Sequence, residues 1–269
     1  MLASEIKKKL RAGDVSLGSW MSMAHPSIAE ILASAGYEWV VVETEHTAID
    51  NSEVLRLMMA IEGAGAVPLV RLAWNDPIQC KAVLDSGAAG VIVPMVNTRA
   101  DAELAVKSAK YPPAGFRGVG LARAQGYGSR FAEYVRDANE SSLLIVQIEH
   151  KDAVGNIEDI LDVPGIDGTF IGPYDLSMSM GLPGQLDHPE IQAAQKKVLD
   201  ATRARGLAAG IHLVHPDRAS IDIADHVARG YQFIALGTDI LFLGDACRAL
   251  QRQASAAAAT AARPRPPAR

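Results

Sequence analysis

The sequence predicts a single parallel (β/α)₈ barrel, an α/β fold of the TIM-barrel class. Eight short apolar runs recur along the chain, and each is followed by a helical pattern. These runs are continuous rather than alternating, as expected for parallel strands that are covered on both faces. The chain has 269 residues, which is close to the ~250 residues of a typical barrel. Eight such units in one chain favour a closed barrel over an open sheet.

The strand boundaries follow from the apolar runs, and the helix boundaries follow from capping residues. The predicted strands cover residues 16–23, 39–45, 68–72, 90–96, 143–149, 168–174, 208–213 and 233–237. Asp76 is a suitable N-cap after the third strand, with Pro77 as the first helical residue. Gly36 and Gly63 are stop signals for two earlier helices. Alternating strands and helices with short connections predict a parallel α/β fold.

One connection is longer than the others. Residues 111–141 precede the fifth strand and contain Arg117, Tyr127 and Phe131. Connections of this length are usually functional or disordered, and this mixture of residues is typical of a lid or a subunit contact. We expect the barrel domain to cover residues 1–256. Residues 257–269 are rich in Ala, Pro and Arg, a composition that predicts a disordered tail.

The overall composition excludes several classes of protein. The net charge is −5 and no long basic run is present, so nucleic acids and anionic membranes are not expected partners. The only cysteines are Cys80 and Cys247, which gives little support to disulfides or a structural zinc. No run has the apolar length of a membrane helix, and residues 1–13 do not resemble a signal peptide. We therefore expect a cytoplasmic protein.

Two acidic residues stand at the ends of apolar runs. Glu149 ends the fifth predicted strand and Asp175 follows the sixth. An unpaired buried carboxylate is costly, and the carboxyl ends of barrel strands lie side by side on the catalytic face. Two hard oxygen ligands with little else around them suggest Mg²⁺ or Mn²⁺, held partly by substrate and water. The alternative is that each acid caps the following helix.

Other strand ends also carry polar residues. Glu43, Glu45 and His46 lie at the end of the second predicted strand, where they suit a proton relay or, alternatively, a surface turn. Arg71 closes the third strand and is a candidate for holding a carboxylate or a developing enolate. Its alternative role is a structural ion pair with one of the acids. Gln147 shares its side of the fifth strand with the acid two residues later.

The positions of the lysines bear on the choice of mechanism. An aldolase that works through a Schiff base needs a desolvated lysine at its site. No lysine lies inside a predicted strand, and only Lys151 is near a strand end. A metal-dependent route is therefore favoured over an imine route.

Six ordered blocks of the sequence resemble the HpcH/HpaI aldolase family. They are residues 39–46, 70–77, 93–96, 111–120, 146–149 and 171–177, and the resemblance covers about residues 5–250. The family includes class II pyruvate aldolases that act on 4-hydroxy-2-oxoheptanedioate or 2-dehydro-3-deoxyglucarate. The resemblance implies a (β/α)₈ barrel whose last helix is exchanged between subunits, in a homo-oligomer described as a hexamer built from dimers.

The resemblance also implies roles for individual residues. Glu149 and Asp175 would hold the divalent metal, Mg²⁺ or Mn²⁺, with Co²⁺ as a further candidate. Arg71 and the metal would bind the keto-acid and stabilise its enolate. His46, paired with Glu43, would be the base that acts through metal-bound water. These assignments make His46, Arg71 and Glu43 the expected catalytic residues.

Further residues are expected to bind the substrate. Besides Arg71, they are Gln147, Gly172, Pro173, Tyr174, Trp20 and His212. Two residues depart from the family pattern. Glu43 replaces the usual aspartate beside the histidine, and His212 stands where many relatives carry an apolar residue close to pyruvate. The alternative role for His212 is a core histidine that is bonded to the backbone.

The leading interpretation is a carbon–carbon lyase that reversibly cleaves a 4-hydroxy-2-oxo acid into pyruvate and an aldehyde. In this chemistry the metal polarises the C2 carbonyl and stabilises the pyruvate enolate. One alternative is a macrophomate-synthase-like or citrate-forming enzyme that uses the same enolate. Another is a barrel that binds keto-acids without catalysis. The expected partners are small-molecule keto-acids and aldehydes, together with further copies of the chain.

Overall fold

A computed structural model describes residues 3–261, and the side chains of residues 216–222 and 261 lie outside that description. The strands are β1 (Ser16–Met21), β2 (Trp39–Glu43), β3 (Val67–Arg71), β4 (Gly90–Val93), β5 (Leu143–Ile148), β6 (Gly168–Ile171), β7 (Ala208–Leu213) and β8 (Phe233–Thr238). Each strand pairs in parallel with its neighbours in the sequence, and β1 pairs with β8. The predicted (β/α)₈ fold is therefore confirmed.

Helices connect the strands and surround the barrel. They are α1 (Ala3–Arg11), α2 (Pro26–Ser34), α3 (Asn51–Gly63), α4 (Pro77–Asp85), α5 (Arg99–Ala109), α6 (Phe131–Ser141), α7 (Lys151–Gly155), α8 (Ile157–Leu161), α9 (Pro173–Ser179), α10 (Pro189–Ala204), α11 (Pro216–Arg229) and α12 (Asp239–Ala261). Within residues 3–261, no helix has both the length and the apolar character needed to span a membrane.

All eight predicted strands are present, but several end earlier than expected. β2 ends at Glu43 rather than at residue 45, and β6 ends at Ile171 rather than at residue 174. After β6 the chain leaves the sheet because α9 begins at Pro173. After β2 the chain turns back, so that the backbone N–H of Glu45 donates to the Glu43 carboxylate. Glu45, His46 and Asp175 therefore lie beyond the sheet at the carboxyl-terminal mouth of the barrel, whereas Glu43 and Arg71 are the last residues of their strands.

Local capping explains where the early helices begin. The Asp76 carboxylate accepts hydrogen bonds from the backbone N–H groups of Ile78 and Gln79, as expected for the N-cap of α4. Asp50 caps α3 in the same way and forms a reciprocal capping box with Glu53. These contacts satisfy backbone donors that a helix leaves unpaired in its first turn.

The amino-terminal end of the barrel is closed by packing. Ile6 and Leu10 of α1 belong to the same buried cluster as Trp39 and Phe233, whose rings stack with centroids 4.0 Å apart. Lys7 is buried beside Asp167, with Nζ 2.8 Å from Oδ1. The closed end leaves the opposite mouth, where the strands run out, as the accessible end of the barrel.

The long connection at residues 111–141 contains regular structure. A 3₁₀ turn covers Arg123–Gln125, and α6 occupies the last part of the segment. Arg117 anchors it, because its buried guanidinium bonds to Asp85 at 2.7 Å and lies 4.6 Å from the centre of the Tyr111 ring. The Arg117 guanidinium thus attaches the segment to α4. The expected role of the segment as a lid or subunit contact stays a prediction.

Helix α12 leaves the barrel with little covering it. It has 23 residues, a length of about 34 Å, and its main contacts are with β1 and β8 at its start. Leu243 and Leu250 are 55% and 68% exposed. The helix continues past the expected domain boundary at residue 257, and residues 262–269 of the expected tail lie outside the described residues.

We predict that α12 packs against another copy of the chain. Leu250→Glu should disrupt assembly because a charge buried at an apolar contact is costly, and deletion from residue 245 should do the same. Gln251→Glu on the same exposed helix is the control and should leave assembly unchanged. Light scattering coupled to gel filtration measures the mass. A monomeric full-length protein would contradict the prediction.

Candidate active site

A cavity of about 320 Å³ opens at the carboxyl-terminal mouth of the barrel. Every residue expected at the site lines it except Glu149, which is buried and accepts a hydrogen bond from the lining residue Gln147. A second cavity of about 520 Å³ adjoins the first and shares Pro173, Tyr174, His212 and Val214 with it. The strand ends therefore bring together residues that are up to 192 positions apart in the sequence, from Trp20 to His212.

Glu149 is a buried carboxylate that the backbone and one amide hold in place. It is 2% exposed. Its Oε1 accepts a hydrogen bond from the Met95 backbone N–H at 2.7 Å, and its Oε2 accepts one from the Gln147 side-chain amide. Burial raises the pKa of Glu149, and the negative charge of Asp175 adds to this effect. The ionised form therefore requires compensating positive charge.

The space beside Glu149 depends on a glycine. A Cβ placed on Gly172 would lie 3.0 Å from Oε2 of Glu149 and 3.3 Å from the Gln147 amide nitrogen. A side chain at this position would crowd that carboxylate oxygen and the amide that donates to it. This is a reason for the glycine at the turn between β6 and α9.

Asp175 supplies a second carboxylate from the first turn of α9 and is exposed. The alternative that each acid caps a helix is not what the structure has. His150 caps α7 through its ring, Gly172 is at the N-cap position of α9, and Glu149 bonds instead to the loop after β4. Both carboxylates are thus available to other ligands.

Arg71 joins two acids at the centre of the mouth. Its guanidinium contacts Oε2 of Glu43 through Nη2 and lies 2.9 Å from Oε2 of Glu45 through Nη1. Glu43 and Arg71 are register partners across β2 and β3, so the sheet itself sets this contact. The indole of Trp20 donates to Glu43 at 2.5 Å and also lies under the guanidinium, 5.4 Å from its carbon.

The charges around Arg71 do not balance. Four carboxylates surround the mouth, those of Glu43, Glu45, Glu149 and Asp175, and Arg71 is the cation that opposes them. Burial raises the pKa of Glu45 to about 7, Arg71 opposes this, and the neighbouring acids reinforce it. A bound cation would relieve the remaining repulsion.

The donor set fits a hard divalent cation. Glu149 and Asp175 offer oxygen only, and the described residues contain no group of three or more His, Cys, Asp or Glu side chains that could hold a metal. Mg²⁺ and Mn²⁺ accept few protein ligands when substrate and water complete the shell. Asp175 lines the cavity, and Gly172 places no side chain beside the Glu149 carboxylate, in agreement with this type of site.

The structure places the His46 ring differently from the expected pairing with Glu43. The side chain is 63% exposed and lines the cavity, and its Nε2 lies 4.0 Å from Oε2 of Glu45. Glu43 instead accepts hydrogen bonds from the backbone N–H groups of Glu45, at 2.6 Å, and His46, at 3.2 Å. Glu43 therefore holds the turn that carries the imidazole.

His212 makes the backbone bond of its alternative role, and its expected role in binding substrate stays a prediction. Its Nε2 bonds to the backbone carbonyl of Gly237 at 2.9 Å, and its ring stacks on Trp20 with centroids 4.8 Å apart. It also lines the cavity. Burial lowers its pKa to about 4, so the ring is neutral near pH 7.

Two residues of the site were missed by sequence reasoning. Met95 has φ +53°, which is uncommon outside glycine, and its N–H bonds to Glu149. No sequence signal indicates it. Asp239 ties the end of β8 to the end of β1 by accepting from the backbone of Ser22 and Met23. The sequence signal for Asp239 is an acid that follows a strand, which is the signal that identified Glu149 and Asp175.

The comparisons with known proteins agree with this architecture. The model of the family described as HpcH/HpaI aldolase/citrate lyase matches residues 16–246. The chain belongs to this family. It is therefore a lyase, as its similarity to a 4-hydroxy-2-oxo-heptane-1,7-dioate aldolase of Salmonella dublin also supports. The two are 40% identical over 93% of this chain and 94% of the relative.

Solved structures of HpcH/HpaI proteins superpose closely. A family member from Burkholderia cenocepacia is 33% identical and has a TM-score of 0.88, covering 94% of this chain and 99% of its own. The citrate synthase SbnG is 31% identical with a TM-score of 0.82, covering 96% of this chain and 97% of its own. The family thus contains more than one activity on one scaffold.

We predict that the Trp20 indole supports the Arg71 network. Trp20→Phe keeps an aromatic ring but leaves the buried Glu43 carboxylate without one donor, which costs about 1–3 kcal/mol. Both thermal stability and kcat/KM should fall. Trp39→Phe is the control, since it removes an indole bond to Ser16 at the other end of the barrel. It should lower only stability, and an equal loss of kcat/KM in both variants would contradict the prediction.

Proposed function

We propose that this chain is a divalent-metal-dependent aldolase that reversibly cleaves a 4-hydroxy-2-oxo acid into pyruvate and an aldehyde. The observation that carries the proposal is the set of groups at the barrel mouth. The Asp175 carboxylate and the Arg71 guanidinium line one cavity, and the buried Glu149 carboxylate accepts a hydrogen bond from Gln147, which also lines it. No lysine is among the residues that line this cavity. This favours stabilisation of an enolate by charge over formation of an imine.

Glu149 and Asp175 are the residues that would hold the cation, Mg²⁺ or Mn²⁺, with Co²⁺ as a further candidate. When bound, it would supply a Lewis acid for the C2 carbonyl and for the enolate charge. Glu149 is suited to this role because its hydrogen bonds to Met95 and Gln147 fix its orientation. Gly172 places no side chain beside Oε2 of Glu149.

The substrate carboxylate and enolate would be bound by Arg71 and by polar groups of β5 and α9. Arg71 is held in position by two acids, so its guanidinium is fixed before the substrate arrives. Its Nε has no hydrogen-bond partner among the described residues. Tyr174 and Asp175 lie in the first turn of α9, where backbone N–H groups have no partner inside the helix.

His46 would move the proton that the aldol reaction requires. Its ring lines the cavity and has solvent access, as an acid–base group needs. Glu45 lies beside the ring and would support the imidazolium, whereas Glu43 would position the turn through its backbone contacts. Glu43 thus acts through other groups in this scheme rather than on the substrate.

The proposal includes a cytoplasmic homo-oligomer, with a hexamer built from dimers as its expected form. The uncovered part of α12 supports assembly, because its Leu243 and Leu250 side chains are largely exposed.

A second candidate is an enzyme that adds the same enolate to a different electrophile to form a citrate-like product. The similarity to the citrate synthase SbnG favours it, at 31% identity. The relatives named aldolase are 40% identical, which favours cleavage. A screen with pyruvate detected by a coupled dehydrogenase separates the two, because only cleavage releases pyruvate from hydroxy-keto acids.

We predict that Glu149→Gln abolishes metal-dependent activity without unfolding the protein. The change removes a charged ligand but little volume, and a loss of about 10²–10⁴-fold in kcat corresponds to the several kcal/mol that a catalytic cation supplies. Asp175→Asn should behave in the same way. Mg²⁺ or Mn²⁺ should restore activity to chelated wild type and raise its melting temperature, but should not shift that of Glu149→Gln.

The control is Glu103→Gln, which removes a surface carboxylate of α5. It should keep both the activity and the metal-dependent shift in melting temperature. Full activity of Glu149→Gln in chelator would remove the metal site from the proposal.

A further inference from the structure

His212 presents a hydrogen-bond acceptor to the cavity that no described group uses. The ring lies where the two cavities adjoin and lines both of them. Its ring stacks on Trp20, and the centroid of the Phe170 ring lies 6.4 Å from its own. Neither aromatic neighbour has a spare donor, since the Trp20 indole N–H is bonded to Glu43.

One contact fixes which nitrogen of His212 carries the proton. A carbonyl oxygen can only accept, so the 2.9 Å bond to Gly237 requires a proton on Nε2. Gly237 has φ +62°, and a Cβ there would come within 2.4 Å of the Phe242 ring, so this carbonyl is held in its orientation. The neutral ring then has an unprotonated Nδ1 with a lone pair.

Nδ1 has no partner among the side chains and backbone that the structure describes. It is also not one of the partnerless polar atoms that are sealed from solvent. An acceptor in this position requires a donor from the ligand or from water. The carboxylate and carbonyl oxygens of a 2-oxo acid are acceptors, so they cannot satisfy it, whereas a hydroxyl group can.

We propose that Nδ1 of His212 accepts a hydrogen bond from a hydroxyl group of the substrate, so that the enzyme favours hydroxylated aldol partners over their deoxy counterparts. This inference rests on the proposed aldolase function and names its substrate class. The hydroxyl belongs either to the carbon next to the carbonyl of an α-hydroxyaldehyde or to C3 of the 2-oxo acid. Both sources offer the same donor.

The experiment measures aldol addition with two matched pairs of substrates in the metal-loaded enzyme. The aldehyde arm compares glycolaldehyde with acetaldehyde, with pyruvate as the second substrate. The keto-acid arm compares hydroxypyruvate with pyruvate, with one aldehyde throughout. The readout is the ratio of kcat/KM within each pair, because a ratio is insensitive to general loss of activity. The arm that shows the preference identifies which end of the substrate meets His212.

Three variants separate substrate recognition from a structural role. His212→Asn keeps an acceptor near the position of Nδ1 but loses the bond to Gly237, whereas His212→Gln keeps a donor near Nε2 but loses that acceptor. His212→Leu loses both. In the arm that shows the preference, the ratio should fall about 3- to 10-fold in the Gln and Leu variants. The Asn variant should keep most of the wild-type preference for the hydroxylated substrate.

The opposite order, with the Gln variant retaining the preference and the Asn variant losing it, would show that His212 acts only by holding Gly237. A wild type with equal kcat/KM in both pairs would overturn the inference while leaving the aldolase function intact. A wild type that forms no product from any pair would overturn the proposed function and this inference with it.

Discussion

The contact between Arg71 and Glu43 is the interaction around which the barrel mouth is organised. The two residues face each other in the register of β2 and β3, so the sheet places opposite charges side by side in a buried position. A buried ion pair is worthwhile only when its remaining polar atoms find partners. Trp20 and the backbone of residues 45 and 46 supply most of these partners. The position of His46 therefore depends on a contact that His46 itself does not make.

The same contact leaves an excess of negative charge, and the proposed binding of a cation depends on this excess. Arg71 opposes four carboxylates, and burial raises the pKa of Glu45 and Glu149 where these groups should be ionised. Structural acids in a core normally remain neutral or find a second basic partner. Glu149, held by fixed donors, and Asp175, which lines the cavity, are the acids that we propose for a cation that arrives from outside.

The sequence predicted the barrel well because its signals are local. Continuous apolar runs, Asp76 as an N-cap and glycines at helix ends each report on a few neighbouring residues, and eight repeats of these signals leave few other folds. The carboxyl ends of β1 to β6 were placed too late, because the polarity of a residue does not say where the chain leaves the sheet. Glu149, Asp175 and Arg71 were found because charges at the ends of buried strands are costly.

Contacts between distant parts of the chain were not accessible in the same way. The bond from the Met95 backbone to Glu149 depends on a left-handed backbone conformation at a residue that does not favour it. The proximity of the His46 ring to Glu45 rather than Glu43 depends on how a three-residue turn folds. The tautomer of His212 depends on a carbonyl 25 residues away. Each requires three-dimensional coordinates, because residue type alone allows several arrangements.

Exchange of the methyl protons of pyruvate in D₂O tests the central claim most directly, since it isolates enolate formation from any choice of aldehyde. The measurement is the loss of the methyl signal in proton NMR, with enzyme and pyruvate alone. We predict exchange that requires Mg²⁺ or Mn²⁺, stops in chelator, and is lost in Glu149→Gln and in Arg71→Ala. Exchange that continues unchanged in chelator, or metal-loaded wild type that exchanges no protons, would contradict an enolate stabilised by a cation at these carboxylates.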